Sequence, residues 1–161
     1  MQGLVNEFAN WLQNTDIAMN IAASTWAYPF VQTIHFTGLS IWLGTILAVD
    51  LHLLGIGNRT QTSAQLLKAL IVWNWIGFCI LITGGILLFS TAATTFIINP
   101  AFEIKIGILL PAALIWHIIV QAKAFSWGRE AGVPKVAKLA GGVEILLWLC
   151  VATAATTIPY F

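Results

Sequence analysis

Apolar residues run almost unbroken through four stretches of the chain: Tyr28–Leu54, Leu66–Ser90, Ala101–Ala122 and Leu139–Pro159. Each holds the ~20 predominantly apolar residues that a helix needs to cross a bilayer. Backbone groups in lipid must be paired within their own segment, so each stretch is predicted to be a helix. The breaks between them are short. Gly55-Ile-Gly-Asn-Arg59 separates the first from the second, Asn99-Pro100 opens the third with proline where a first helical turn tolerates it, and Gly128 to Pro134 precedes the fourth. The expected fold is all-α, an integral membrane four-helix up-down bundle forming a single domain over residues 1–161. Ahead of the bundle, Leu4, Val5, Phe8, Trp11 and Leu12 recur at helical spacing among Asn6, Glu7, Asn10 and Gln13. That pattern predicts an amphipathic helix over residues 4–20, lying on the membrane surface.

Composition sharpens the picture. Hydrophobic residues make up 59% and charged residues 8% of the 161, against roughly 45–50% and about 25% in ordinary globular chains. So few charges cannot cover a soluble surface of this size, and the mean hydropathy of +0.89 agrees. A net charge of +1 excludes a nucleic-acid binder, which needs clustered Lys and Arg. Cys79 and Cys150 lie inside apolar runs and read as small core residues, not as a disulfide. No Cys-x-x-Cys-His occurs, which excludes a covalently attached c-type haem. The first 23 residues lack a basic start and carry Glu7 and Asp16, unlike a signal peptide.

The charges also predict an orientation. Arg59 and Lys68 flank the first connection, and Lys123, Arg129, Lys135 and Lys138 flank the last. The opposite side carries Glu7, Asp16 and Glu103, with Lys105 the one cation near it. The positive-inside rule then puts both connections in the cytoplasm and both termini outside.

Ionisable residues inside a membrane are costly and are functional candidates by default. Those weighed here are His35 and His52 on the first helix and Lys105 and His117 on the third. At ~1.5 Å per residue, His35 lies ~10 Å and Lys105 ~6 Å below the outer entry, with His117 at ~24 Å and His52 at ~36 Å. His35 and Lys105 are thus closest in depth, while His35 and His117 are offset by ~14 Å. Neutral imidazole is a common haem ligand, and four-helix bundles build such sites between facing helices. Gly38, one turn after His35, is expected to leave room beside the imidazole for a flat macrocycle. The candidate iron ligands are His35 and His117, with Lys105 as the alternative ligand or a propionate partner and His52 as a weaker candidate. Asp50 reads as a solvated end residue or a partner of Arg59. The eight Trp residues fit an interfacial belt or packing.

Several stretches carry a resemblance: Trp26-Ala-Tyr-Pro-Phe-Val-Gln-Thr-Ile-His35-Phe-Thr-Gly38, Val49-Asp-Leu-His-Leu-Leu-Gly55, Thr83-Gly84-Gly85-Ile-Leu-Leu-Phe89, and Asn99-Pro100-Ala-Phe102-Glu-Ile-Lys105 leading to Trp116-His117. With these the chain resembles a family of uncharacterised bacterial four-helix membrane proteins. More distantly it is similar to HemJ-type protoporphyrinogen oxidases and to the membrane domain of CopD-like copper-resistance proteins. The resemblance implies a bacterial inner membrane protein that binds haem b through His35 and Lys105. The arginine-rich flank of the HemJ first helix is missing, which affects porphyrinogen oxidation more than haem binding. The expected function is that of a cytochrome b-like subunit passing electrons between a redox partner protein or larger complex and the quinone pool, with homo-oligomers also admitted. The alternatives are a cofactor-free membrane anchor and a HemJ-like porphyrinogen oxidase.

Overall fold

The computed structural model describes residues 2–57, 60–127 and 133–161. Among them there is no strand; the chain is helical almost throughout. It opens with α1 (Gln2–Gln13) and α2 (Asp16–Ala23), followed by α3 (Ala27–Leu54) and α4 (Ser63–Ser90). A short α5 (Ala93–Phe96) leads to α6 (Pro100–Ile104), a π-helical turn (Lys105–Leu109) and α7 (Leu110–Trp127); α8 (Lys135–Thr157) closes the bundle. Four spans, Ala27–Leu54, Ser63–Ser90, Pro100–Trp127 and Lys135–Tyr160, are long and apolar enough to cross a membrane. At 28 residues the first three reach ~42 Å, beyond the ~30 Å hydrocarbon core. This is the all-α four-helix bundle expected for a multi-pass membrane protein.

The ends of these helices follow local chemistry. Thr62 and Gln65 form a reciprocal capping box that starts α4. Asn99 caps α6 by accepting from the Phe102 amide at 3.1 Å, and its own amide donates to the Ile158 carbonyl at 2.9 Å, tying the start of the third span to the end of the fourth. Gly55 ends α3 at φ 86°, a left-handed position that glycine adopts without strain.

The surface segment differs from the expectation of one helix over residues 4–20. Thr15 stops α1 and caps α2, accepting from the Ala18 amide, so the segment is a helical pair. Leu4, Val5, Phe8 and Trp11 stay exposed, while Gln13 accepts from the Thr94 amide at 3.0 Å and hydroxyl at 2.8 Å and so pins α1 to α5. Cys79 and Cys150, read as core residues, are free thiols on the exposed outer face, where an apolar side chain costs nothing against lipid.

The α3–α4 contact is the tightest in the bundle, and it depends on absent side chains. A Cβ on Gly38 would stand 2.4 Å from the Leu81 amide nitrogen, one on Gly77 2.8 Å from that of Trp42, and one on Gly84 2.9 Å from the Cα of His35. Small residues of this kind let transmembrane helices approach backbone to backbone. Gly38 therefore does not make room for a macrocycle: the space it leaves is filled by α4.

Candidate functional site

Most of the ionisable residues inside the spans fall into two separate places. The first is an apolar cavity of about 410 Å³ reached by all four spans, within the ~300–1,000 Å³ typical of cofactor and small-molecule sites. α3 contributes His35 and Leu39, α4 Leu81 and Gly85, the third span Phe102 and Lys105, and α8 Trp148 and Ala152. Phe89 and Phe102, stacked at 5.3 Å between ring centroids, line it on one side.

His35 is held in a defined orientation. Its Nδ1 lies 2.9 Å from the Leu81 carbonyl oxygen. A carbonyl can only accept, so Nδ1 carries the hydrogen and a neutral ring leaves Nε2 as a bare lone pair. Gly85 permits this pose, since a Cβ there would press to 3.2 Å from His35 Cε1. A ligating histidine is oriented in the same way, through a hydrogen bond from its second nitrogen.

Lys105 lines the same cavity and is near enough to act electrostatically on His35. Its placement depends on the π-helical turn, in which the Leu110 amide bonds to the Lys105 carbonyl. Residues five apart diverge around an α-helix, but here Lys105 and Leu110 both face the cavity. Among the described residues no carboxylate pairs with Lys105.

The second place is a buried polar cluster. His117 Nδ1 hydrogen-bonds to Glu144 Oε1, and Nε2 lies 3.1 Å from Asn74 Oδ1. Gln121 donates to the same Asn74 oxygen at 2.8 Å, and the Asn74 amide donates to Thr45 Oγ1 at 2.8 Å. Asp50 and Glu144 line the same small space as His117. Asp50 and Glu144 are each 1% exposed and His117 3%. Asp50 is thus no solvated end residue; α8 covers it, with Gly141 packed on its backbone. Its other expected partner, Arg59, lies outside the described residues.

The expected sites are therefore sorted. The structure brings His35 and Lys105 to one cavity and leaves His117 elsewhere, with both ring nitrogens engaged. His52 sits half-buried in the last turn of α3 and joins neither place. Glu144 went unweighed in the sequence, though its signal is of the same kind as that of His117: an ionisable side chain nine residues into an apolar span.

No family model, curated protein or solved structure matches this chain. Its chemistry is read from its own residues. Among the described residues no three His, Cys, Asp or Glu side chains converge to hold a bare metal ion. A haem asks for less: one or two axial donors and a dry, flat-sided space between helices.

Proposed function

We propose that the chain is a haem b-binding membrane protein in which His35 Nε2 and the Lys105 amine hold the iron from facing spans. The observation that carries this reading is that both donors line one apolar cavity, with the imidazole already oriented by Leu81. The residues present fit the group. The cavity is lined mainly by Leu, Ile, Phe and Ala side chains, the free imidazole nitrogen is the ligating one, and Lys105 has no competing carboxylate among the described residues. When bound, the haem supplies one-electron chemistry at the iron. The chain would supply the His35 and Lys105 donors and an apolar surround that excludes water. Electrons would pass between a redox partner and the quinone pool, and the charge bias around the connections supports termini outside the cytoplasm.

The test is ligand substitution in the full chain. His35→Ala is expected to abolish the b-type absorbance while the protein still inserts. Lys105→Ala is expected to retain haem but convert it from low to high spin. An unchanged spectrum in His35→Ala contradicts the assignment.

A further inference from the structure

We propose that Asp50, Glu144 and His117 form a buried proton-binding site in the half of the bundle nearer the α3–α4 and α7–α8 connections, separate from the cavity of His35 and Lys105. The hydrogen-bond pattern carries it. Two carboxyl groups buried on one space, with His117 already matched to one of them, cannot both stay charged, so the Asp50–Glu144 pair keeps a proton. The imidazole of His117 faces acceptors on both sides, a carboxylate oxygen at Nδ1 and an amide oxygen at Nε2. The orientation of the Asn74 amide follows from its neighbours: Thr45 Oγ1 donates to the Ile41 and Trp42 carbonyls and so accepts from Asn74, leaving the Asn74 oxygen toward His117 and Gln121. The pattern is complete only with a hydrogen on each ring nitrogen. His117 as imidazolium, Glu144 as carboxylate and Asp50 as the acid make a neutral set, and neutrality is what a membrane interior demands of buried charges.

Every element packed on the cluster agrees with that count. α3 supplies Asp50, α7 His117 and α8 Glu144, while α4 presents the uncharged Asn74; among the described residues no Lys or Arg lines the space between them. One oxygen stays unmatched: Asp50 Oδ2 is buried with no hydrogen-bond partner, and Asp50 lines a cavity of about 10 Å³. That is room for about one water and no more. It does not make a cation cage, which takes ~6–8 oxygens for calcium, because the Asn74 and Thr45 oxygens are already committed. The small space beside Asp50 is where a water would take up the proton that the pair releases, or return it.

The test is infrared spectroscopy of the full chain in lipid nanodiscs at neutral pH, in water and in deuterium oxide. The wild type is expected to show the C=O stretch of a protonated carboxyl, shifted by deuterium. Asp50→Asn and Glu144→Gln are each expected to abolish the band, and Glu103→Gln to leave it unchanged. In ¹⁵N-histidine spectra the signal lost in His117→Gln is expected to carry a hydrogen on both nitrogens. The absence of the band from the folded wild type overturns the proposal, as does its persistence in Asp50→Asn or Glu144→Gln. Should Asp50→Asn fail to fold, Glu144→Gln and the wild-type histidine spectrum decide.

Discussion

At His117 the cost of burial decides what a substitution does. Removing one partner of a buried charged pair costs about 3–5 kcal/mol, because the survivor is stranded, whereas replacing the whole set with apolar residues is often neutral or stabilising. His117→Leu is therefore expected to lower the thermal midpoint sharply in detergent. Adding Glu144→Leu and Asp50→Leu is expected to recover much of the loss. Because His117 does not line the His35–Lys105 cavity, haem that survives in the single variant is expected to keep its wild-type spectrum. A changed axial signature there would return His117 to the ligand set. Much at this scale was legible beforehand: His35 and Lys105 stand at matching depths, and their position on a shared cavity agrees with that count. Asp50 was not. Four residues from the end of an apolar run it looks solvated, and only the close pass of Gly141 over its backbone, a contact across sequence, buries it.

The helices themselves carry two predictions. Gly38 and Gly44 lie on the same helix, but a Cβ meets the α4 backbone at the first and open space at the second. Gly38→Ala is expected to disrupt α3–α4 packing and destabilise the protein, while Gly44→Ala is expected to be neutral or to gain up to ~1 kcal/mol from helix propensity. Thermal unfolding of the pair separates a packing role from a backbone one. The π-helical turn makes the second prediction. Deleting Gly107, where an added Cβ would meet nothing within 4 Å, is expected to restore α-helical register and swing Lys105 away from the cavity. The spectral result should match Lys105→Ala with the fold intact. The spans were legible within a few residues because hydrophobic length is a local property. The π-turn was not, since an extra residue in a helix leaves no mark on an unbroken apolar run. The break at Thr15 carried a local signal, a capping residue inside an amphipathic pattern.

For the molecule as a whole, four spans in up-down order predict both termini on one side, and the Lys and Arg around the connections predict that it is the outer one. A reporter active only in the cytoplasm, fused after Phe161, is expected to be silent; activity there would reverse the topology. The cofactor is the central claim, and the direct measurement is an absorbance spectrum of the purified full chain, expressed in haem-replete cells and solubilised in detergent. The dithionite-reduced protein is expected to show a b-type α band, and acid-acetone to extract the haem. A colourless preparation that takes up no added haemin would contradict the account and leave a cofactor-free membrane anchor in its place.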